Sequence, residues 1–370
     1  MLGTYLLYLA MSSCGPLLVK SIVKKSIKVS TKQWINISLI LIVLSVIIGG
    51  RYEVGTDFPN YIDYYKSFLV GKSKFEDIFA LGNSLEPGYL FINWFSSEIN
   101  LSVSMFFSLI AFFSFVLMLK AQGDHPYLWP LILLFFFGQM FGISMNIIRQ
   151  SCAIFLFFYA IQFVGKNKLK LFLLITSCTL FHYSSVVFYL AMFIDSKWLK
   201  FLDNKWLIVL LFIVSWFLEL YILPLFMRLM PLDIFSAKYL LSLDNTDVEM
   251  AVNSGLGILL TKIIDILLIW KSDKVLEYYK DETLKFLYRL FFVGIIFYNI
   301  MGISMYLSRI FLGMVLLRIF VLAFTTYYCL KFKDIRLLLG IFFIIICLLQ
   351  FIMNIKNGYS GISPYQFMWQ

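Results

Sequence analysis

Charge is scarce in this sequence of 370 residues. Only 14% of the residues are Asp, Glu, Lys or Arg, whereas 61% are hydrophobic and 19% are aromatic, and the mean hydropathy is +0.87. Soluble domains carry about 25% charged residues, so this composition excludes a soluble globular protein. The apolar runs are too long and alternate too little for barrel strands, and in hydrocarbon every backbone amide must be bonded internally. The sequence therefore predicts an all-α, polytopic integral membrane protein.

Histidine and cysteine are also scarce, with two and five residues. The cysteines lie in apolar segments without CxxC or CxxH spacing, which favours buried small side chains over metal ligands or disulfides. We therefore predict no metal site and no bound cofactor. The net charge of +10 comes largely from lysines that cluster around residues 20–32, 166–170, 271–285 and 331–336. Such clusters anchor cytoplasmic loops, so they predict membrane orientation rather than nucleic-acid binding.

The apolar runs predict about eleven to twelve transmembrane segments in a single domain, residues 1–370. Acidic residues outnumber basic ones in the long region 51–100, which is predicted to lie on the outward face together with a second loop, 228–250. Within the first region, Glu86–Ile99 predicts an interfacial or partly inserted helix. The runs cover residues 2–19, 34–50, 101–119, 127–145, 147–164, 169–194, 206–227, 252–270, 286–306, 309–330 and 335–353.

At the run 169–194, successive loops no longer alternate between the two sides of the membrane. Counting spans from either end of the chain puts both ends of this run in the cytoplasm, next to lysine-bearing loops. A bent hairpin that turns at Phe181–Ser185 satisfies both counts, and each arm of about 20 Å would be too short to cross the bilayer. The alternative is one long tilted helix with a wrongly assigned neighbour.

Six polar side chains from separated parts of the chain are predicted to reach the outward face. Arginine at mid-helix costs about 2.5 to 3.5 kcal/mol on insertion, which makes an arginine in or beside a span a candidate for function. Its guanidinium matches phosphate with two hydrogen bonds and keeps its charge in a site of low dielectric constant. Snorkelling toward the interface is the structural alternative. The six residues are Arg51, Asp57, Glu86, Arg149, His182 and Arg309.

Three of these residues carry groups that can exchange protons. His182 lies inside an apolar run, so it either bonds a neighbouring helix or, as a neutral imidazole, accepts a proton from a sugar hydroxyl. Asp57 and Glu86 each precede a helix start, where they act as caps, or they serve as a base or a sugar ligand. The sequence leaves these alternatives open.

Aromatic residues after Asp57 follow a helical spacing of i, i+3, i+4 and i+7. This spacing predicts a helix with an aromatic stripe, which either belongs to the membrane interface or stacks on sugar rings. The stripe consists of Tyr61, Tyr64, Tyr65 and Phe68.

Charged residues also occur inside later spans. Lys262 and Asp265 stand three positions apart in one run, so we predict that they pair with each other. Arg318 has no partner nearby in the sequence, and it would extend the cationic cluster inward.

Five short motifs in this order resemble the EpsG/Wzy-type polymerases of bacterial surface polysaccharides. The likeness runs from about residue 45 to residue 330. The motifs are Arg51-x-x-x-Gly55-Thr56-Asp57-x-x-x-Tyr61, Glu86-Pro87-Gly88-Tyr89, Ile148-Arg149-Gln150, Phe181-His182-Tyr183-Ser184 and Ser308-Arg309.

The resemblance implies an architecture similar to that of polyprenyl-dependent (GT-C-like) glycosyltransferases. It also implies an enzyme that joins oligosaccharide repeat units carried on undecaprenyl pyrophosphate, at the periplasmic face of the bacterial inner membrane. The expected partners are the lipid-linked oligosaccharide, membrane lipid and a protein that regulates chain length. No nucleic acid is expected.

With this family in view, the site residues receive roles. His182 is the first choice for the general base and Asp57 the second, because both are predicted to face one cavity. The outward arginines neutralise the pyrophosphate as it leaves. The pyrophosphate ligands are Arg149, Arg309 and Arg51, and the sugar ligands are Glu86, Tyr61, Tyr65 and Gln150.

Three other functions remain open at this point. An O-antigen ligase uses the same donor with a lipid A core acceptor. A flippase or another transporter predicts ionisable groups near the bilayer midplane and internal repeats, and no repeat is found here. A membrane acyltransferase would use the histidine but not the three arginines.

Overall fold

A computed structural model describes residues 1–23, 28–71, 74–79, 85–229, 256–302 and 305–368. Regular structure in these ranges is helical, apart from one isolated bridge between extended segments, which confirms the predicted all-α fold.

The described chain forms two compact units, each considered by itself below. The first combines residues 1–186 with 344–370, and the second covers 187–343. The single transmembrane domain over residues 1–370 stays a prediction. The outward loop predicted at 228–250 lies almost wholly outside the described residues.

In the described residues, the first unit contains nine α-helices, three short 3₁₀ helices and the end of a later α-helix. The nine α-helices are α1 (Leu2–Val23), α2 (Thr31–Gly49), α3 (Phe58–Leu69), α4 (Pro87–Glu98), α5 (Val103–Lys120), α6 (Trp129–Gln139), α7 (Phe141–Asn146), α8 (Ile148–Ile161) and α9 (Lys168–Phe181). Side-chain oxygens of Ser30, Ser102 and Asn167 cap α2, α5 and α9. Helix starts leave backbone N–H groups without partners, so these caps fix where each helix begins.

Two short helices follow the end of α2, and both were predicted. The aromatic stripe forms α3, which buries Tyr61, Tyr65 and Phe68 along one face. The helix expected at Glu86–Ile99 is α4, with Pro87 in its first turn. Proline suits this position because its missing N–H would have had no partner there.

The second unit begins with tight helical turns and continues with longer helices. 3₁₀ geometry covers Tyr183–Met192, which starts at the end of the first unit, and Lys197–Asp203. The helices are α10 (Lys205–Leu229), α11 (Leu256–Tyr279), α12 (Glu282–Ile300), α13 (Met305–Val315), α14 (Arg318–Leu330) and α15 (Ile335–Lys356), whose C-terminal part belongs to the first unit. A Cβ at Gly294 would lie 2.7 Å from Met314, so glycine lets α12 and α13 approach closely.

Six helical segments in the described ranges are long and apolar enough to cross a membrane, and a bent pair would make a seventh. This confirms a multi-pass membrane protein. The predicted runs 127–145, 147–164 and 169–194 are present as shorter helices, because the chain leaves helical geometry at Met140, Ile147 and His182. The runs 206–227 and 252–270 correspond to the long helices α10 and α11, as far as the described residues extend. The six segments are Leu2–Val23, Thr31–Gly49, Val103–Lys120, Glu282–Ile300, Leu307–Leu330 and Ile335–Lys356.

The run 169–194 is interrupted at the predicted position. α9 ends at Phe181, and His182 is extended with φ −159° and ψ 121°, before the chain resumes as 3₁₀ turns. One continuous tilted helix is therefore excluded. The return of the second arm to the same side stays a prediction.

The predicted pairing of Lys262 with Asp265 is wrong in the second unit. Both carboxylate oxygens of Asp265 bind Arg318, at 2.6 Å from Nε and 2.8 Å from Nη2. Lys262 donates instead to the side-chain oxygen of Asn299. The side-chain amide nitrogen of Asn299 in turn donates to the Ser215 hydroxyl. A guanidinium fork matches a carboxylate better than an ammonium does, so the distant arginine takes the acid. Arg318 thus neutralises Asp265, and the inward extension of a cationic cluster is not needed to explain it.

We expect Arg318→Leu to destabilise the protein strongly, since it leaves the Asp265 carboxylate buried without its partner. Breaking such a pair costs about 3 to 5 kcal/mol. The double variant Asp265→Leu, Arg318→Met should recover much of the loss, because it removes both charges. The measurement is the unfolding midpoint of purified protein in detergent, with Arg336→Ala as the control at a partly exposed arginine. Equal midpoints for Arg318→Leu and the control would contradict the assignment.

Candidate active site

Glu86, Arg149 and His182 meet in the first unit. Glu86 Oε2 lies 2.5 Å from Arg149 Nη1, and Glu86 Oε1 lies 2.8 Å from His182 Nδ1. The backbone N–H of Tyr183 also points at Oε1, at 3.4 Å. One carboxylate therefore joins a cation and an imidazole that are far apart in the sequence. The sequence predicted these three residues on one face, and the structure brings them into contact.

Helix ends position all three side chains. Glu86 is the residue before α4, Arg149 lies in the first turn of α8, and His182 follows the end of α9. α4 comes close to α9 because Gly88 has no side chain: a Cβ there would lie 2.7 Å from the carbonyl oxygen of Leu180. The contact between helix ends thus depends on a glycine two residues after Glu86.

The cluster is covered on one side and open on the other. The Glu86 side chain is 3% exposed, whereas those of Arg149 and His182 are each 25% exposed. Burial works to raise the pKa of Glu86, but the hydrogen bond with His182 and the charge of Arg149 outweigh it, and the pKa lies below its usual value. Glu86 is therefore ionised at neutral pH. The open parts of Arg149 and His182 are the surface that a substrate can reach.

Tyr61 adjoins this cluster. Burial raises its pKa to about 12, with the charge of Arg149 opposing the rise and that of Asp57 adding to it. Its hydroxyl therefore stays protonated at neutral pH and can donate a hydrogen bond. The Tyr61 ring meets Tyr89 edge to face at 5.8 Å.

The other two predicted sugar ligands lie deeper. Tyr65 is fully buried, stacks on Phe106 at 4.4 Å and donates its hydroxyl to the Leu101 carbonyl. Gln150 is 4% exposed, and its amide nitrogen is 3.5 Å from the Ser184 hydroxyl oxygen. Sugar binding by these residues stays a prediction, and the structure gives both a packing role.

Arg51 is buried beneath its own loop. Its guanidinium donates to the carbonyl oxygens of Ile48 (2.7 Å), Val54 (3.1 Å) and Met145 (3.0 Å), and it is 2% exposed. Burial lowers its pKa to about 10, so the charge remains at neutral pH. Arg51 therefore ties the end of α2 to the end of α7. Its predicted contact with pyrophosphate is untested.

Asp57 occupies the position before α3 without capping it. Its side chain makes no cap hydrogen bond, although its backbone N–H donates to the Asn146 side-chain oxygen at 2.9 Å. The same oxygen accepts the Thr56 hydroxyl at 2.7 Å. Asn146 thus fixes the Asp57 segment against the turn that precedes Arg149. Sequence reasoning missed Asn146, and its position in an outward turn beside Arg149 was the available signal.

A small cavity of about 30 Å³ lies beside Arg51 in the first unit. Its walls are mostly aliphatic and aromatic, and a volume of this size holds water molecules rather than a sugar or a lipid chain. The hydroxyl of Ser151 is buried there without a hydrogen-bond partner among the described residues. The lining also includes Ile48, Phe107, Ile110, Phe115, Phe136, Ile148 and Phe155.

Arg309 belongs to the second unit, where it lies on α13. Its predicted place beside Arg149 stays a prediction. Among the described residues, no group of three His, Cys, Asp or Glu side chains is arranged to hold a metal ion.

A family model described as the EpsG family matches residues 34–367. The chain belongs to the EpsG family. EpsG-type proteins are Wzy-like polymerases, so this is a polymerase-like membrane protein of polysaccharide synthesis, as the motifs predicted. No curated protein and no solved structure matches the chain.

The C-terminal tail, residues 358–368, lies along the loop of residues 50–57, and the family match extends through it to residue 367. Three backbone hydrogen bonds join the tail to the loop. They run from Gly55 N–H to the Gly361 oxygen (2.9 Å), from Tyr52 N–H to the Gln366 oxygen (2.8 Å) and from Met368 N–H to the Gly50 oxygen (2.8 Å). The tail therefore helps to hold the loop that carries Arg51 and Asp57.

Further contacts anchor the tail itself. The Tyr8 hydroxyl donates to the Ile362 carbonyl at 2.8 Å, and the Tyr365 N–H donates to the Thr4 hydroxyl at 3.0 Å. Met368 packs against the aromatic cluster that contains Tyr61. The tail is thus part of the wall around the site.

Gly361→Ala should weaken this arrangement. Gly361 has φ +67°, and a Cβ there would lie 3.1 Å from the Thr56 nitrogen. A left-handed conformation costs other residues about 1 to 2 kcal/mol, so we expect a lower unfolding midpoint and less polymer. Gln366→Ala is the matched control, because Gln366 bonds the loop through its backbone. Identical midpoints and polymer yields in the two variants would contradict a role for the tail in fixing the loop.

Proposed function

We propose that this protein is a polysaccharide polymerase that acts at the periplasmic face of a bacterial inner membrane. It transfers a glycan from undecaprenyl pyrophosphate onto a second lipid-linked repeat unit, in O-antigen or capsule synthesis. The observation that carries the proposal is the contact of Arg149 and His182 with one buried carboxylate in an EpsG-family chain. A cation for a leaving pyrophosphate and a base for an attacking hydroxyl then lie side by side.

The reaction needs one proton acceptor and one anion ligand. His182 accepts the proton of a hydroxyl on the non-reducing sugar of the acceptor, and the oxygen attacks the donor anomeric carbon. The bond from that carbon to the pyrophosphate oxygen breaks, and its electron pair leaves with undecaprenyl pyrophosphate. Arg149 neutralises the charge that develops on this leaving group. Attack opposite the leaving group inverts the anomeric centre.

The remaining predicted residues support this reaction. Asp57, which is half-buried and close to Tyr61, is the second candidate for the base. The role of Arg309 as a further pyrophosphate ligand stays a prediction, and Arg51 stabilises the loop and contributes positive charge beneath it. Tyr61 binds sugar through its hydroxyl. We propose no metal, and a separate protein sets chain length.

Purified protein given a defined undecaprenyl-pyrophosphate repeat unit should produce a ladder of longer glycans. Arg149→Ala should reduce the rate by about 10²- to 10³-fold, because it removes a cation at the leaving group. His182→Ala should reduce it by about 10²- to 10⁴-fold, the usual range for a general base. The readout is gel separation of the lipid-linked products.

The chain offers matched controls for both changes. His125→Ala alters the other histidine, and Arg336→Ala alters an arginine on the exposed side of another segment. Both should give normal ladders. Long products from Arg149→Ala or His182→Ala at the unaltered rate would contradict the scheme. Translocation of unaltered substrate across vesicles would indicate a flippase, and transfer only to a lipid A core would indicate a ligase.

A further inference from the structure

Glu86 is arranged to hold two other side chains rather than a substrate. Each carboxylate oxygen already has a side-chain partner, Arg149 on Oε2 and His182 on Oε1. The carboxylate is almost fully covered, whereas both partners are a quarter exposed. A sugar hydroxyl would have to displace one of these partners to reach it. The predicted role of Glu86 as a sugar ligand therefore fits the geometry poorly.

The contact with His182 determines where the imidazole keeps its lone pair. An ionised carboxylate only accepts hydrogen bonds, so Nδ1 of His182 must carry the hydrogen that points at Oε1. In a neutral imidazole the other nitrogen, Nε2, then holds the lone pair. A general base needs this lone pair on the nitrogen that faces the acceptor hydroxyl. When Nε2 takes up the proton, the charge of Glu86 stabilises the imidazolium.

The contact with Arg149 leaves much of the guanidinium available. Arg149 donates one hydrogen bond from Nη1 to Glu86 Oε2, rather than two parallel hydrogen bonds to both carboxylate oxygens. The Nε atom is buried, and its hydrogen has no acceptor within hydrogen-bond geometry among the described residues. The side chain as a whole is 25% exposed, so a phosphate oxygen can reach the guanidinium through its Nη hydrogens without breaking the contact with Glu86.

We propose that Glu86 is a positioning residue that fixes His182 in its Nδ1–H tautomer and orients Arg149 toward the pyrophosphate. This inference rests on the proposed function, since it assigns the base and the leaving-group ligand to these two residues. It makes Glu86 necessary for turnover but not for binding of the donor.

Glu86→Gln tests the proposal because the amide has one acceptor and one donor end. Arg149 only donates, so the amide oxygen should turn toward Arg149, and the amide NH₂ should then face Nδ1 of His182. Nδ1 must become the acceptor, and the hydrogen moves to Nε2. The lone pair is then on the wrong nitrogen, which has been found to lower kcat by about 10⁴-fold in a comparable carboxylate–histidine pair.

Nitrogen-15 NMR of histidine-labelled protein in detergent reads the tautomer directly. Only two histidines occur, so a His125→Asn background leaves the signals of His182 alone. At about pH 9, where a free imidazole is neutral, we expect Nδ1–H in the parent protein and Nε2–H in Glu86→Gln. The tautomer is a readout that a purely structural role of Glu86 would not change. An unchanged Nδ1–H signal in Glu86→Gln would overturn the proposal.

Kinetics supply the second readout. We expect Glu86→Gln to lower kcat by about 10²- to 10⁴-fold, while KM for the lipid-linked donor changes by less than about threefold. Glu86→Asp keeps a carboxylate and should retain more activity than Glu86→Gln. A raised KM with unchanged kcat would make Glu86 a sugar ligand instead.

The design separates this proposal from the proposed function. If His182→Ala still makes long chains, the proposed base is wrong. If His182→Ala is inactive but Glu86→Gln keeps both its tautomer and its kcat, only the role of Glu86 is wrong. The unfolding midpoint of each variant is measured alongside, and Glu86→Asp carries the kinetic test if Glu86→Gln does not fold.

Discussion

A buried arginine, Arg51, holds the loop of residues 50–57, which carries the polar segment predicted to face outward. Arg51 donates to the carbonyls of Ile48 and Met145, which lie near the C-terminal ends of α2 and α7. Carbonyls at a helix end have no partner inside the helix, and leaving one buried and unpaired costs about 1 to 3 kcal/mol. A single guanidinium satisfies carbonyls from two helices and one loop, and it can do so only if the loop folds back over α2. The Arg51 guanidinium therefore has a structural role, because it holds the loop against α2 and α7.

The same need for partners explains why the reactive groups sit at interruptions. The chain leaves helical geometry at Ile147 and at His182. Each break frees backbone N–H and C=O groups that would be hydrogen-bonded within an uninterrupted apolar helix. Polar side chains and close packing compensate at these points: Asn146 bonds the adjacent loop, and Glu86 reaches the N–H of Tyr183 as well as the imidazole. The breaks therefore supply both the exposed positions and the polar surroundings that a transfer reaction requires.

Local sequence patterns predicted the helices and much of the site. Periodicity predicted α3, and the helix start at Glu86-Pro87 predicted α4. Assigning loops to sides of the membrane placed Glu86, Arg149 and His182 on one face. It did not predict which residues would touch, because the Arg51 contact to Met145 joins positions 94 residues apart. The error at Lys262 has the same origin. A neighbour three positions away looked like the partner of Asp265, but the better donor arrives from 53 residues further along the chain.

Two carboxylate–arginine pairs in this protein differ in how completely the two partners are matched and in how exposed they are. Asp265 uses both oxygens on Arg318, and both residues are buried, so the pair has no surface for a ligand. Glu86 contacts Arg149 through one carboxylate oxygen and His182 through the other, and both partners are partly exposed. The Asp265–Arg318 pair therefore has a structural role only. The Glu86 pair keeps donors and a lone pair available, and a buried acid beside a partly exposed cation and a partly exposed base is typical of candidate functional sites.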